Sequence, residues 1–187
     1  MIHGAAARFI EIPGGSAGSL AVLDIMAQHI VTPEPRVRAL FDAMAATPGP
    51  WATMTDAELC AYLFEWVRTR CRYTPDATGH FQLGGRDFEI SDEIRSPAYL
   101  LEEITRHGWT QGDCDDLVIL LGALIVQGCG WPGTLVALST RDDLDLNHVY
   151  LEVEVDGEPV ACDPTVPAPL GWAVPEDERT AEVRRPL

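Results

Sequence analysis

A single cysteine stands among three aspartates at the start of an apolar helical segment, in the stretch GWTQGDCDDLVILLGALIVQGCG at residues 108–130. Cys114 is the residue that could do chemistry here, because a thiolate is a strong nucleophile and the unpaired N–H groups of a helix N-terminus stabilise it. The carboxylates of Asp113, Asp115 and Asp116 oppose this effect, because neighbouring negative charges raise the pKa of a thiol. A reactive Cys114 therefore requires a nearby cation, such as an imidazolium.

The aspartates also have a purely structural interpretation. Asp113 follows Gly112 and is a preferred N-cap residue, and Asp116 in the first helical turn interacts favourably with the helix dipole. This interpretation accounts for the two acids, but it leaves the cysteine between them unexplained.

Strand patterning selects one histidine as a partner for the cysteine. The sequence contains five histidines: His3, His29, His80, His107 and His148. His148 lies in the segment NHVYLEVEV, residues 147–155, whose polar and apolar residues alternate as in a half-buried β-strand. The Asp156-Gly157 pair that follows is typical of a two-residue hairpin turn, after which EPVACDPT, residues 158–165, returns along the first strand.

The hairpin register places His148 beside an acid. If residues 155 and 158 pair, His148 and Asp163 fall on one face as diagonal neighbours. Diagonal neighbours lie about 7 to 8 Å apart at the backbone, which is within reach of an imidazole–carboxylate hydrogen bond. Taken singly, His148 is equally a surface histidine at a strand end, and Asp163 a turn residue before Pro164. Their position on one face, downstream of a helix-capping cysteine, favours a shared site.

Helices come first along the chain and strands follow, as in an α+β protein. Apolar spacing and end signals predict helices over residues 19–31, 36–45, 55–73, 98–108 and 114–127. Thr55 and Glu58 have the spacing of a capping box at the start of the third helix. Strands are predicted over residues 133–140, 147–155 and 158–165. A polar loop is predicted over residues 74–97, and the proline-rich tail 167–187 is expected to wrap the surface or fray.

Composition and charge limit the function classes. The chain has 187 residues, is 47% hydrophobic and carries a formal net charge of −16, with a pI near 4.5. This size predicts one domain, residues 1–187, with a helical lead-in (1–54), a core (55–166) and the tail (167–187). The negative charge disfavours nucleic acid and anionic membranes as partners. It is compatible with a basic peptide partner, although an acidic surface also serves solubility.

The sequence has no apolar run of about 18 residues and no signal-peptide pattern, which predicts a soluble, cytoplasmic protein that does not bind membranes. Its five cysteines are Cys60, Cys71, Cys114, Cys129 and Cys162. They are widely spread and form no C-x-x-C pair, which argues against a disulfide framework or a zinc ribbon. No cofactor is expected, and the oligomeric state is left open.

These motifs together resemble those of the transglutaminase-like superfamily of cysteine enzymes. GDCDDLVILLGALI followed by NHVYLEVEVDGEPVACDPT is similar to its cysteine at a helix start, its histidine opening a strand and its aspartate in a following DPT. The segments WVRTRCRYTPD and EIRSPAYLL resemble bacterial and prophage-encoded members, and the likeness covers roughly residues 55–166. The resemblance implies a papain-like fold, in which a helical N-terminal half and a nucleophile helix pack on an antiparallel sheet.

The resemblance also implies residue roles. Cys114 would be the nucleophile, His148 the general base and acid, and Asp163 the group that orients the imidazole. Such an enzyme cleaves an amide of a protein or peptide through a thioester, which water or a second amine then resolves. Asp115 and Asp116 stand where animal cross-linking members have apolar or aromatic residues. They favour a basic substrate group near the cleft, or they simply interact with the helix dipole.

The sequence defines the oxyanion hole less well than the triad. The backbone N–H of Cys114 lies at the helix start and is the natural first donor. The side chain of Gln111 is a candidate second donor, and Trp109 and Tyr73 are alternatives to it.

Two other function classes stay open. A catalytically inactive binding or scaffold module of the same fold, in a phage-associated role, would keep the cysteine as a core residue. A metal site is the other class, because Cys114, His148, Asp163 and Cys162 are all of ligand types. Strand alternation points Cys162 away from Asp163, and the acids beside the cysteine suit hard cations better than zinc, so no metal site is predicted.

Overall fold

A layer of helices and a layer of antiparallel strands share one main hydrophobic core. The computed structural model describes residues 16–47, 49–76, 79–83, 86–90, 93–142 and 145–187. For the two segments between residues 79 and 90, only the backbone is described. The predicted α+β architecture is confirmed.

The helical layer contains each helix that the sequence predicts. In chain order these are α1 (Ser16–Val31), α2 (Pro35–Ala46), α3 (Asp56–Arg70), α4 (Pro97–His107) and α5 (Cys114–Ala123). α5 continues into one π-helical turn, Leu124–Cys129. α3 ends at Arg70 and not at residue 73, because the next three residues pair with another segment of the chain as a strand.

Side-chain caps explain where two of these helices begin. Thr55 Oγ1 accepts a hydrogen bond from the Glu58 N–H at 3.3 Å, and the Glu58 carboxylate accepts one from the Thr55 N–H at 2.8 Å. The predicted capping box of α3 is therefore confirmed. Ser96 caps α4 by accepting a hydrogen bond from the Tyr99 N–H at 3.3 Å. Gly108, with φ of 80°, ends α4 in the left-handed region that favours glycine.

Two small strand pairs precede the main sheet along the chain. β1 (Cys71–Tyr73) pairs in parallel with β4 (Thr110–Gly112), while β2 (Gly79–Leu83) and β3 (Arg86–Ile90) form an antiparallel hairpin. This hairpin lies within residues 74–97, so the prediction of an irregular loop there is wrong. A Gly-Gly pair between the two strands is a hairpin signal in the sequence, but the polar composition of the segment hides it.

The main sheet has four antiparallel strands in the spatial order β7-β6-β5-β8. Their bounds are β5 (Gly133–Ser139), β6 (His148–Val155), β7 (Glu158–Cys162) and β8 (Ala181–Pro186). β8 comes from the C-terminal tail, so the expectation that the tail only wraps the surface or frays is wrong. The segment AEVRRP is charged and contains one strong β-former, and its strand state depends on pairing with β5.

The turn between β6 and β7 has the predicted register. Val155 pairs with Glu158 and Leu151 with Cys162. Asp156 and Gly157 both have positive φ, 54° and 82°, as a two-residue hairpin turn requires. The prediction that residues 155 and 158 pair is therefore confirmed.

α5 is the central element of the core. Every residue from 117 to 121 is at most 2% exposed, and α5 packs against both α1 and β6. The lead-in belongs to this core, since Met26 and Ile30 of α1 are fully buried. A Cβ on Gly122 would lie 2.8 Å from the Ile30 side chain, which shows how closely α1 and α5 approach. The start of α5 is therefore held from several sides.

Candidate active site

Cys114 is held in place by the strand pair immediately before it. Gly112, the last residue of β4, pairs with Tyr73 of β1, and its carbonyl accepts a hydrogen bond from the Thr74 N–H at 2.8 Å. A Cβ on Gly112 would lie 2.4 Å from Oδ2 of Asp116, so only glycine lets β4 approach the first turn of α5 this closely. Cys114 follows two residues later, half-buried and packed against the main core.

The aspartates beside Cys114 do not act as helix capping alone predicts. Asp113 occupies the N-cap position, as predicted, but its side chain makes no capping hydrogen bond. Its carboxylate lies instead beside those of Asp76 and Asp116. Asp115 Oδ1 accepts a hydrogen bond from the Asp116 N–H at 2.7 Å. The side chains of Asp113 and Asp115 therefore contact neighbouring groups and do not cap the free N–H groups of the first turn of α5.

Asp116 has a specific cationic partner, Arg95. The Arg95 N–H donates to Asp116 Oδ1 at 2.7 Å, and the Arg95 guanidinium contacts Oδ2. Burial of the Asp116 carboxyl raises its pKa to about 7, although both contacts with Arg95 act to lower it. This pair ties the segment before α4 to the first turn of α5. Sequence reasoning missed Arg95, because no local pattern links two residues that are 21 positions apart.

Three carboxylates cluster beside the candidate nucleophile. Oxygen atoms of Asp76, Asp113 and Asp116 lie within 4.8 Å of one another. Such oxygens suit a hard cation, but the guanidinium of Arg95 already places a positive charge among them, with Nη2 3.9 Å from Asp76.

The metal-ligand set considered from the sequence is not assembled in the described part of the chain. There, Cys114, His148 and Asp163 do not bring three ligand atoms within 4.8 Å of one another. Cys162 is fully buried, and its Sγ lies 3.9 Å from the Sγ of Cys60. Cys162 therefore points into the core.

His148 and Asp163 lie together at the end of the hairpin. His148 Nε2 is 2.6 Å from Asp163 Oδ2. Thr165 donates two hydrogen bonds to Oδ1, from its N–H at 3.0 Å and from its hydroxyl at 2.6 Å. Burial opposes ionisation of Asp163, but the hydrogen bonds from His148 and Thr165 lower its pKa below the ordinary value. The role of Thr165 is readable from the sequence, since an aspartate commonly accepts hydrogen bonds from the residue two positions on.

Tyr73, the last residue of β1, pairs with Gly112 two residues before Cys114. Partial burial raises the pKa of its phenol, and the charges of Cys114, Asp113, Asp115 and Asp163 raise it further. Because such interactions weaken with distance, the phenol is within electrostatic range of both Cys114 and Asp163. The side chain of Tyr73 is 53% exposed.

The other two oxyanion candidates from the sequence lie on the neighbouring β4 segment. Gln111 is exposed and pairs with Arg72 of β1. The Arg72 guanidinium stacks on the ring of Trp109, with its Cζ atom 3.9 Å from the ring centroid. Both Gln111 and Trp109 line a cavity beside the site.

Comparison with protein-family models finds no match to this chain, and comparison with curated proteins finds none either. Among the described residues, no helix combines the length and the apolar character that crossing a bilayer requires.

Proposed function

We propose that the protein is a cysteine-dependent amide-bond enzyme with a papain-like, transglutaminase-like core. Cys114 is the nucleophile, His148 the general base and acid, and Asp163 the residue that orients the imidazole. The observation that carries this proposal is the 2.6 Å contact between His148 Nε2 and Asp163 Oδ2. This contact lies at the open end of the β6–β7 hairpin, and α5 packs against β6. An imidazole held by a buried carboxylate is suited to activating the thiol of Cys114.

The contact with Asp163 decides which imidazole nitrogen acts on the thiol. Because Nε2 of His148 is engaged by Asp163, Nδ1 is the nitrogen that exchanges a proton with Cys114. The ionised carboxylate of Asp163 then stabilises the imidazolium that results. This imidazolium is the cation that offsets the aspartates around the cysteine.

The reaction consists of two displacements. The thiolate adds to the amide carbonyl carbon, and the C–N bond breaks as the imidazolium protonates the leaving amine, which leaves a thioester on Cys114. Water that gives a proton to His148 then adds to the thioester, and the C–S bond breaks to release a carboxylic acid. An amine in place of water gives a new amide, which would make the protein an acyl transferase.

The oxyanion of each tetrahedral intermediate requires two donors. The backbone N–H of Cys114 supplies the first, because it lies at the helix start. The side chain of Gln111 is a candidate for the second donor, and the phenol of Tyr73, whose pKa partial burial and the charge of Cys114 raise, is an alternative.

Alkylation of Cys114 by iodoacetamide across a pH series, followed by mass spectrometry, tests the proposal. We expect half-maximal reactivity below the pKa of about 8.5 of an ordinary thiol. In His148→Ala the pH of half-maximal reactivity should rise to about 8.5 or above, because the cation that stabilises the thiolate is lost. Cys129 provides an internal control in the same digest, since burial raises its pKa to about 12 and it should react slowly throughout.

A second candidate function is a binding or scaffold module that does no chemistry. The carboxylate cluster of Asp76, Asp113 and Asp116 favours it, because these charges work against a thiolate at Cys114. A Cys114 that titrates as an ordinary thiol, with no effect of His148→Ala, would contradict the enzyme and support the module.

A further inference from the structure

A cavity of about 320 Å³ opens beside β4, next to the candidate active site. Its charged and titratable lining residues are Glu93, Arg95, Glu103 and His107, and its other lining residues include Tyr99, Trp109 and Gln111. Gln111 precedes Cys114 by three residues, and three residues of extended chain span roughly 10 Å. A substrate peptide in extended conformation advances by about the same distance per residue. A side chain about three residues from the scissile amide could therefore reach the cavity.

Carboxylates outnumber cations around this cavity. The Arg95 guanidinium contacts three of them: Glu93 at 2.8 Å, Asp76 at 3.9 Å, and Asp116. Glu93 and Asp76 alone exceed its single charge, although burial raises the pKa of Asp116 to about 7. Glu103 adds a further carboxylate, which lies 3.9 Å from the imidazole of His107, another residue of the lining. The Glu93 side chain is 64% exposed, so it can contact a ligand while it faces Arg95. The cavity attracts positive charge.

Aromatic rings supply the apolar part of the lining. The Trp109 ring is held by the Arg72 guanidinium, which stacks 3.9 Å from the ring centroid. Tyr99, in the first turn of α4, is 41% exposed. Aromatic faces pack against the methylene stem of a lysine or arginine and attract its charge. A neutral side chain would gain only the packing, and an acidic one would be repelled.

We propose that this cavity binds the basic side chain of a peptide substrate, a lysine or arginine about three residues from the scissile amide. The proposal rests on the proposed function for its substrate, because the spacing is counted from Cys114. Glu93 and Glu103 recognise the charge, while Trp109 and Tyr99 hold the stem. The formal net charge of −16 also favours approach of a basic peptide from a distance.

Binding to the Cys114→Ala protein tests the cavity without any need for turnover. The probes are short acetylated, amidated alanine peptides with one lysine at each successive position, and a matched set with uncharged norleucine in its place. In calorimetric titrations, at least one lysine peptide should bind about fivefold to tenfold more tightly than its norleucine counterpart. Combining Glu93→Gln with Glu103→Gln should reduce this preference to less than about twofold, because the charge pairs are lost.

Glu102→Gln is the matched control. Glu102 lies on the same helix as Glu103 with similar side-chain exposure, 31% against 29%, but it pairs with Arg36 and Arg106 and does not line the cavity. It should leave the lysine preference unchanged. The proposal is overturned if lysine and norleucine peptides bind equally, if no peptide binds, or if Glu102→Gln has the effect of the double variant.

Turnover of the same peptides by the unaltered protein separates this proposal from the proposed function. Cleavage of lysine and norleucine peptides at equal rates would support the enzyme and overturn the cavity proposal. Lysine-selective binding with no cleavage of any peptide would support the cavity proposal and contradict the enzyme.

Discussion

The Asp163 carboxylate is fixed from both sides. One oxygen faces His148, and the other accepts two hydrogen bonds from Thr165. Rotation of the carboxylate away from the imidazole would break the bonds from Thr165, so the orientation of His148 depends on Thr165 as well as on Asp163. This arrangement gives a physical reason for the DPT sequence after β7.

Asp116 gives the protein a pH-dependent stability opposite in sign to that of Asp163. Burial raises the pKa of Asp116 in the folded protein to about 7, whereas an aspartate in an unfolded chain has a pKa of about 3.9. Between these values the folded state binds the proton and the unfolded state does not. The contribution of Asp116 to the free energy of unfolding is therefore fully present below about pH 4 and is lost as the pH rises through about 7.

Asp116→Asn should be less stable than the wild type near pH 4, because its NH2 group cannot accept a hydrogen bond from Arg95. This deficit should shrink as the pH rises to about 7, because asparagine has no proton to lose. The difference should change by at most about 1.4 kcal/mol per pH unit within the window. Urea unfolding at a series of pH values measures it. Asp42→Asn on the exposed face of α2 is the control and should show no such trend. A difference between Asp116→Asn and wild type that is constant with pH would contradict the prediction.

Among the elements, the parallel pair of β1 and β4 does most to position the nucleophile. Each strand has three residues, and β4 leads into α5 with one residue between them. The close approach of Gly112 to Asp116 locks this pair onto the first turn of the helix. The placement of Cys114 therefore depends on a contact between two backbone segments and one buried acid.

Gly112→Ala should lower the free energy of unfolding by about 1 to 3 kcal/mol, because its Cβ would displace a buried carboxylate that Arg95 holds. It should also change the pH profile of Cys114 alkylation, since β4 would have to move. Denaturant unfolding and the alkylation assay measure the two effects.

Gly133→Ala on β5 is the matched control for this variant. The nearest atom to its Cβ would be the end of the Leu187 side chain, at 3.1 Å, and a side-chain end can yield. The idea that Gly112 fixes the nucleophile fails if both variants lose the same stability and neither alters Cys114.

Local patterns were sufficient to predict the five helices, the capping box of α3 and the β6–β7 hairpin. A two-residue turn fixes strand register, which is why the pairing of residues 155 and 158, and with it the shared face of His148 and Asp163, followed from the sequence. Contacts between segments that are distant along the chain could not be predicted from the sequence. The β1–β4 pair is too short to leave a periodic pattern, and the partners Arg95 and Asp116 are positioned only by the tertiary fold.

For the whole molecule, the tail completes the sheet. β8 pairs along β5, whose residues Leu135, Val136 and Leu138 are fully buried, and Val174 of the tail covers part of the outer face of the sheet. Without β8, β5 would become an edge strand with unpaired backbone groups. A segment with weak strand propensity therefore protects the most apolar strand of the protein.

Deletion of residues 180–187 should lower the thermal midpoint by roughly 10 °C, equivalent to about 3 kcal/mol for a chain of this size, and should promote association through β5. Scanning calorimetry and size-exclusion chromatography measure the two effects. Arg184→Ala is the control. It removes an exposed ion pair with Glu152 but keeps the backbone pairing, so it should cost less than about 1 kcal/mol. A truncated protein that stays monomeric with the midpoint of the wild type would show that β8 is dispensable.

The burial of α5 on all sides has a consequence for the life of the chain before it is folded. A helix this apolar and this short has little stability alone in water, so its N-terminal end exists only after the helical and strand layers have closed around it. On the proposed function, the cysteine of a nascent or unfolded chain is an ordinary thiol, remote from its histidine. On the proposed function, the protein therefore becomes reactive in the same cooperative step in which it folds. Before that step its cysteine does not attack amides.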